Sequence, residues 1–377
     1  MIPTMNIGLW LGVASILSWK VVAPSKTPEL VSEPEPEPEP EHDAKHDAKQ
    51  VSSREEPTFI PSLEVYKKET ILELEEAVGV LDWDLVSANE GGVALVERYP
   101  HLINWHLLSL NPNASLLLRT NVRFVNWMFL SANPSMVDVL AKHPEKVCWD
   151  YLSRNVCGLP LLEAHWEVAR TKVNKYWLSH NPCAVDLLER HPDLIDWSGL
   201  CANSNPDAVR LVEGRLDMAD WHALSRNPHA IPLLERMLEK NKDMVGKIVW
   251  LQVCLNPNGL PLLQKHFDFD QLPRIFWKYL SLNPAFVSLW HKYLNRVDWE
   301  CASLNPGLPA FLEEHPECLE FVHWGNLSAN PNAVPLLARH IHRVDWKAVS
   351  ENPNLDQLLS FKAVSPSFKS THSHPPC

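Results

Sequence analysis

The polar and apolar positions of this chain recur in one unit, best seen in Val344-Asp-Trp-Lys-Ala-Val-Ser-Glu-Asn-Pro353. In most copies an aliphatic residue, an Asp or Asn, a Trp and a Ser precede the Asn. Twelve copies, mostly 22 and at most 29 residues apart, align on Asn89, Asn111, Asn133, Asn155, Asn181, Asn205, Asn227, Asn256, Asn283, Asn305, Asn330 and Asn352. A self-similar period in this range predicts stacked repeats.

The pattern within each copy predicts two short helices. The Asp or Asn before the Trp suits an N-cap, and the small residue one turn later lets a neighbouring coil approach. The repeat Asn ends the first helix and caps the second, where the Pro that usually follows is favourable. Leu-Leu pairs then form an apolar stripe. We therefore predict an all-α fold: a right-handed-type helical solenoid of about twelve short helix-turn-helix repeats.

Tryptophan occupies one slot in eleven copies: Trp83, Trp105, Trp127, Trp149, Trp197, Trp221, Trp250, Trp277, Trp299, Trp324 and Trp346. Lys175 is the exception, with Trp177 as the expected substitute. Helices this short are unstable alone, so stacking must supply the stability. Replacing a central Trp by Ala is expected to cost ~3–5 kcal/mol. Twelve repeats at ~10 Å each predict a curved rod on the order of 100 Å long.

The two ends of the chain differ from the repeats. Residues 1–23 are mostly apolar and predict a retained membrane anchor, with a cleaved signal peptide or a soluble hydrophobic tip as alternatives. Residues 24–57 form an acidic Glu-Pro-rich linker, for which we expect a stiff extended spacer. Residues 58–361 hold the solenoid, in which 58–80 are expected to be a capping helix over the first repeat, and 362–377 are expected to be a disordered tail.

The distribution of charge argues against a nucleic-acid partner, and the cysteine pattern argues against disulfides. The net charge of −12 is concentrated between Glu29 and Glu56, where ten acids face three bases. Without a clustered basic patch, nucleic acid is not an expected partner. The eight cysteines include no Cys-x-x-Cys pair, and Cys157 and Cys183 occupy the same slot in successive repeats. Like slots of stacked helices lie too far apart for an easy disulfide, so buried free thiols are expected.

Histidine and basic residues also recur in columns. Ten residues after the Asn stand His143, His165, His191, His266, His315 and His340. One ligand per repeat does not converge on a metal ion, so we predict no metal site and interpret these histidines as residues favoured at a helix C-terminus. Arg98, Lys142, Arg190, Arg236, Lys265, Lys292 and Arg339 lie beside them and suit the same helix end, or a basic stripe for acidic partners. No catalytic or phosphate-loop motif occurs, so we predict neither an enzyme nor a cofactor.

Departures from the repeat are better indications of a partner site. Insertions at 163–176 and 235–250 must lie at one face or edge of the array. Phe286, Trp290 and Tyr293 replace the usual residues of one second helix. An aromatic patch of this kind is where a partner is expected to bind, although filling of a local packing gap is the competing interpretation.

The unit Ile/Val-Asp-Trp-x-x-Leu-Ser-x-Asn-Pro-x-Ala-Val-x-Leu-Leu-Glu resembles Asn-Pro-containing helical repeats of about 22 residues in hypothetical proteins of giant nucleocytoplasmic DNA viruses, best over Val185–Asn203 and Asn330–Pro353. The resemblance implies a viral origin and an all-α array, and it carries no activity that could be transferred to this chain. The sequence thus favours a membrane-anchored, non-catalytic interaction scaffold in a virion or host membrane, or secreted if residues 1–23 are cleaved. A structural component of a large DNA virus particle is the alternative, and an enzyme the remote one.

Overall fold

The computed structural model describes residues 79–240 and 245–360, and all regular structure in this part of the chain is helical. The predicted all-α repeat array is thereby confirmed. The predicted anchor, linker and tail lie outside the described residues, and so does the capping helix apart from its last two residues, 79 and 80.

Each repeat contains a short first helix and a second helix. The twelve first helices are Trp83–Ala88, Trp105–Leu108, Trp127–Ala132, Trp149–Leu152, Lys175–His180, Trp197–Cys201, Trp221–Arg226, Trp250–Leu255, Arg274–Leu282, Trp299–Ala302, Trp324–Ala329 and Trp346–Val349. The second helices are Val93–Arg98, Ser115–Thr120, Val137–Lys142, Leu159–Ala164, Val185–Arg190, Pro206–Glu213, Ile231–Lys240, Leu260–His266, Pro284–Lys292 (a 3₁₀ helix), Leu308–Glu314, Val334–Arg339 and Leu355–Ser360. We number the repeats 1 to 12 in this order.

Short 3₁₀ turns complete the repeats. Some lead into the second helix and begin directly after the repeat Asn: Glu90–Gly92, Pro112–Ala114, Pro134–Met136 and Pro182–Ala184. Others lead to the next repeat: Pro100–Leu102, Val122–Phe124, Pro144–Lys146, Pro192–Leu194, Leu216–Met218, Phe269–Gln271, Leu294–Arg296, Pro316–Phe321 and Ile341–Arg343. A three-residue 3₁₀ turn and the six-residue helix after it, such as Pro134–Met136 and Val137–Lys142, follow each other without a break.

The predicted N-caps of the first helices are confirmed. Side-chain oxygens of eight residues accept hydrogen bonds from first-turn N–H groups: Asp82, Asn104, Asn126, Asn174, Asp196, Asp220, Asp298 and Asp345. In repeat 11, His323 takes this place, and its Nδ1 accepts from the Asn326 N–H at 3.1 Å. These caps satisfy donors that such short helices would otherwise leave free.

The repeat Ser joins each first helix to the next repeat. Ser328 Oγ donates to the Trp324 carbonyl one turn earlier and accepts from the backbone N–H of Asp345 in the following repeat, at 2.7 and 3.0 Å. The same pair of bonds recurs around the array, for example at Ser87 and Ser225. The sequence predicted only a small residue at this slot, whereas its hydroxyl group connects neighbouring repeats.

The repeat Asn forms a hydrogen-bond ladder that sequence reasoning missed. Asn133 Oδ1 accepts from the Ser135 N–H at 2.9 Å, which is the predicted cap. Its Nδ2 also donates to the Ser109 and Asn111 carbonyls of the preceding repeat, both at 3.0 Å. The Nδ2 donors of ten other ladder residues make the same pair of inter-repeat bonds: Asn89, Asn111, Asn155, Asn181, Asn203, Asn227, Asn256, Asn283, Asn330 and Asn352. Asn305 Nδ2 donates to the Ser281 carbonyl at 2.9 Å.

The ladder corrects the alignment of repeat 6. Asn203, which is fully buried, lies on the ladder, whereas the aligned Asn205 is two positions beyond it. Asn203 keeps the spacing of six residues from Trp197 that the other repeats show. Asn205 instead caps the helix Pro206–Glu213 and donates to the Pro182 carbonyl at 2.9 Å. The Asn-Pro dipeptide indicated the wrong residue because a two-residue insertion places the ladder bonds on Asn203 and the cap of the second helix on Asn205.

The array closes on itself, because repeat 12 contacts repeat 1 as any repeat contacts the next. Asn89 Nδ2 donates to the Ser350 and Asn352 carbonyls at 2.9 and 2.8 Å. The Asp82 N–H donates to Ser350 Oγ at 2.9 Å. At this junction Gly91 allows close approach, since a Cβ there would lie 2.2 Å from the Pro353 carbonyl oxygen.

Closure contradicts two expectations. The predicted curved rod with two free ends is wrong, because the bonds between Asn89 and repeat 12 join those ends. The edge of repeat 1 that a capping helix was expected to cover is occupied by the helix Leu355–Ser360 and by Ser350. A closed array of this kind needs no separate polar cap at its first repeat.

Candidate functional site

The three aromatic residues predicted to bind a partner are buried. Phe286 and Trp290 are 0% exposed and Tyr293 is 7% exposed. Phe286 contacts Trp277 with ring centroids 5.4 Å apart, and Trp290 contacts Phe311 of the next repeat at 5.2 Å. The prediction of an exposed aromatic patch is therefore wrong: Phe286 fills a slot that is small in most repeats, and the rings fill space between second helices.

Shallow open grooves flank this aromatic repeat on both sides. One, of about 360 Å³, is lined by Val287, His291, Gly307, Phe311 and His315 among others. The other, of about 250 Å³, is lined by Phe267, Phe269, Lys292 and Tyr293 among others. Both are surface depressions beside Pro284–Lys292, and Tyr293, which lines the second, is mostly buried.

The predicted tryptophans lie at the margin of the core. Trp149 and Trp277 are buried at 6% and 2% exposure, and the others pack against the core while partly exposed. The expected loss of ~3–5 kcal/mol in the free energy of unfolding on Trp→Ala therefore applies to Trp149 and Trp277. Substitution of a half-buried Trp should cause a smaller loss, because less buried area is removed.

Five of the six histidines in the column pack on tryptophans, and the sixth, His315, stacks on Phe311. Ring centroids lie 5.2 Å apart for Trp127 and His143 and 5.4 Å for Trp324 and His340, and the pairs at His165 and His266 are similar. His143 and His340 are also the C-caps of their second helices, as the sequence predicted. Among the described residues no group of three potential metal ligands comes together.

The insertion at 163–176 supplies the indole that repeat 5 lacks. It forms a short helix, Trp166–Ala169, whose Trp166 ring lies 4.6 Å from that of His191. Trp177, the expected substitute, instead contacts His180 of its own helix, with ring centroids 6.0 Å apart. Trp166 therefore packs on the column histidine of repeat 5 in place of a Trp-slot residue, and Trp177 contacts Arg154 instead.

The basic column forms ion pairs between neighbouring repeats. Arg190 pairs with Glu163, Arg236 with Glu213, Lys265 with Glu239 and Arg339 with Glu313. Arg119 pairs with Asp138 in the same way. Exposed pairs of this kind contribute little stability each, but they neutralise much of the predicted basic stripe.

The cysteines are free thiols where the structure describes them, but they are not all buried. Cys201 and Cys254 are buried in the Ser slot, and burial raises their thiol pKa to about 11 and about 12. Cys157 and Cys183 are exposed, which contradicts the expectation of buried thiols for this pair. Their slot follows the repeat Asn by two positions and faces solvent, because only the backbone N–H is used for the cap.

One face of the first helices is not used by the repeat architecture. The Trp slot and the positions three and four residues later point into the array, so residues one, two and five after the Trp slot share the opposite face. We call this the first-helix face. The position directly after the Trp slot is exposed in most repeats and differs in chemistry: Asp84, His106, Met128, Tyr176, His222, Lys278, Glu300 and Lys347.

Repeats 3 to 5 gather aromatic and basic side chains on this face. The Phe129 and Tyr151 ring centroids lie 5.9 Å apart, and Arg154 Cζ lies 4.9 Å from the Trp177 ring centroid. His180 completes a group that we call the Arg154 cluster: Phe129, Tyr151, Arg154, Trp177 and His180. None of these five was predicted as a site. The only sequence signal was that aromatic and basic residues coincide at variable positions of successive repeats.

Gly199 brings the neighbouring first helix against this cluster. A Cβ on Gly199 would lie 2.4 Å from the Tyr176 carbonyl oxygen, so only glycine permits the observed approach of Trp197–Cys201 to Lys175–His180. The close approach partly covers His180. Burial is the main cause that lowers the pKa of His180, and the positive charge of Arg154 lowers it further. Burial likewise lowers the pKa of Arg154.

Comparison of the chain with protein-family models, with curated proteins and with solved structures gives no match. The contacts alone therefore define the class: an all-α repeat protein whose twelve repeats form a closed array. No helix in the described ranges is long and apolar enough to cross a membrane, and residues 1–23 lie outside them.

Proposed function

We propose that this chain is a non-catalytic protein–protein interaction scaffold whose partner binds the first-helix face. The proposal rests on a difference between positions of each repeat: some are nearly constant and hold neighbouring repeats together, whereas others are exposed and variable. The Trp, Ser and Asn slots are nearly constant and are used for contacts between repeats. The exposed position after the Trp slot varies in charge and size from repeat to repeat. A constant framework that displays a variable surface is typical of repeat proteins that bind other proteins.

The non-catalytic part of the proposal rests on the roles of the ionisable columns. Acidic side chains cap first helices, for example Asp82 and Asp345, or pair with basic residues of the next repeat. Column histidines such as His143 pack on tryptophan rings. Because these groups follow the repeat, they are spread around the array and do not converge as acid, base and nucleophile must.

The sequence supports the proposed membrane anchor, spacer and viral origin. The apolar run at Ile7–Trp19 supports an N-terminal membrane anchor, and the Glu-Pro run at Glu33–Glu41 supports a spacer between anchor and array. The resemblance of the Asn-Pro repeat to repeats of giant DNA viruses supports a viral origin, in a virion or a host membrane.

Photo-crosslinking from chosen positions tests the proposal. Full-length protein carrying a benzophenone amino acid at Tyr176, on the first-helix face, is irradiated in an extract of the native host, and the adducts are identified by mass spectrometry. The matched control carries the same group at Leu116, a second-helix residue that is 71% exposed. We expect one dominant adduct from position 176 and not from position 116.

Other adduct patterns separate the alternatives. Adducts from both positions with virion proteins, or only with further copies of this chain, would favour the alternative of a structural component of a large DNA virus particle. Equal labelling of many unrelated proteins from both positions would contradict a specific binding face.

A further inference from the structure

Arg154 has no counter-ion among the residues that the structure describes. Its guanidinium makes no ion pair and no side-chain hydrogen bond there, and its nearest defined contact is the Trp177 ring, 4.9 Å from Cζ. Several other arginines of the array pair with acids, as Arg190 and Arg236 do. Some others without an ion pair, such as Arg343, are exposed, whereas Arg154 is partly buried. A partly buried guanidinium without acceptors is costly to desolvate, and its planar donor groups match a carboxylate in two parallel hydrogen bonds.

One ring nitrogen of His180, beside Arg154, also lacks a partner, although the ring makes a hydrogen bond with the Gly199 backbone. Nδ1 of His180 is buried without any hydrogen bond. The His180 ring is parallel to that of exposed Tyr176, with an interplanar angle of 6° and centroids 6.2 Å apart. Unpartnered buried polar atoms are rare in folded proteins and require an explanation. One such atom, His180 Nδ1, lies beside the unpaired and partly buried guanidinium of Arg154, in a frame of aromatic rings.

We propose that the Arg154 cluster binds a carboxylate of an acidic peptide segment in a partner protein. Arg154 donates two hydrogen bonds to the carboxylate, and Tyr151 and Trp177 pack against the apolar side chains beside it. The inference rests on the proposed function and adds the chemistry that the partner must present.

The surrounding charges favour a singly charged carboxylate over a phosphate. Arg154 is the one cation of the cluster, whereas phosphate sites usually combine several donors or cations. Asp196 and Asp220 lie close enough that, after burial as the main cause, their negative charges help to raise the pKa of Tyr176. A doubly charged phosphate would be repelled more strongly by these two acids.

Peptide binding to the full-length protein tests the inference. The probe is a fluorescein-labelled Leu-Glu-Phe-Glu-Leu peptide with an amidated C-terminus, followed by fluorescence anisotropy. The matched peptide replaces both Glu by Gln. We expect the wild-type protein to bind the Glu peptide at least about tenfold more tightly than the Gln peptide, because a charge-assisted hydrogen-bond pair is lost.

Variants of the protein test whether Arg154 is the residue that binds the Glu peptide. Arg154→Gln is expected to weaken binding of the Glu peptide by about tenfold or more, and Arg154→Lys to weaken it less, because the charge remains without the planar pair of donors. Arg226→Gln is the control, since Arg226 occupies the same slot in repeat 7 and is exposed. Circular dichroism and thermal unfolding of both Arg154 variants verify that they fold.

Three results would overturn the inference: no binding to the wild-type protein, equal binding to wild-type and Arg154→Gln, or tighter binding of a phosphoserine peptide than of the Glu peptide. If position 176 still gives a specific crosslink, such a result would reject the carboxylate assignment and leave the interaction scaffold standing.

Discussion

A single asparagine in each repeat combines two tasks. Its Oδ1 caps the second helix, and its Nδ2 satisfies carbonyl groups of the preceding repeat, as Asn330 does for Ser303 and Asn305. Asn330 is fully buried, so water cannot replace these bonds. Each such bond contributes about 0.5–1.5 kcal/mol, but leaving its buried acceptor unpaired costs more. The slot therefore requires an amide and not merely a capping residue.

Asn330→Asp is expected to lower the free energy of unfolding by about 3–5 kcal/mol, because it keeps the cap but removes both donors and buries a charge against carbonyl oxygens. Asn332→Asp is the matched control: Asn332 is exposed and donates one bond, to the Pro306 carbonyl. Its loss should cost under about 1 kcal/mol. Urea unfolding measures both, and similar costs would show that the ladder contributes little.

His180 should make stability depend on pH. Burial, and then the charge of Arg154, lower its pKa in the folded state below the usual value of 6.5. The unfolded chain therefore binds the proton first as the pH falls through about 6.5, and the free energy of unfolding must decrease there.

Urea unfolding at several pH values between about 7.5 and 5 tests this prediction across the unfolded histidine pKa. His180→Gln should flatten the dependence, and Arg154→Gln should flatten it partly, because only the smaller cause is removed. An unchanged slope in His180→Gln would show that other groups control the acid response, among them His340, whose pKa is lowered mainly by burial.

At the scale of elements, stability comes from contacts between helices that are too short to hold alone. First helices pack directly on the first helices of neighbouring repeats, and the approach of Trp197–Cys201 to Lys175–His180 depends on Gly199. Neighbouring repeats are thus joined by the serine bonds and the asparagine ladder, so one misplaced helix disturbs two interfaces.

Gly199→Ala is expected to destabilise the protein by about 1–3 kcal/mol, because the new methyl group would lie 2.4 Å from the Tyr176 carbonyl oxygen and push the helices apart. It should also weaken peptide binding at the Arg154 cluster. Gly214→Ala is the control, since its nearest atom lies at 3.5 Å, an ordinary contact, and its backbone is right-handed helical. That variant should be neutral or slightly stabilised. Equal effects of the two substitutions on thermal unfolding would contradict a tight interface.

The sequence predicted the elements well and their assembly less well. Repeat length, helix order, N-caps and the Asn cap follow from local rules, because each concerns residues within one repeat. The ladder, the closure and the burial of Phe286 and Trp290 depend on contacts between repeats, which no local pattern records. The register error at Asn205 arose because Asn-Pro is a strong local signal, whereas Asn203 is recognised only by its inter-repeat bonds.

At the scale of the whole array, closure changes what the repeats can do. An open solenoid has two edges that need caps, whereas here repeat 12 satisfies the donors of Asp82 and Asn89 in repeat 1. The small curvature at each interface must therefore add up to a full turn over twelve repeats. The first-helix face then forms one continuous surface, on which the Arg154 cluster occupies a limited sector.

The distance between repeats 1 and 12 tests closure most directly. Spin labels carried on unnatural amino acids replace Asp84 and Lys347, which occupy the same exposed slot in repeats 1 and 12, and pulsed electron resonance measures their separation. The control pair, at Asp84 and His106, occupies that slot in adjacent repeats. Closure predicts that the two distance distributions overlap. A separation for the 84–347 pair approaching the rod length, on the order of 100 Å, would contradict it.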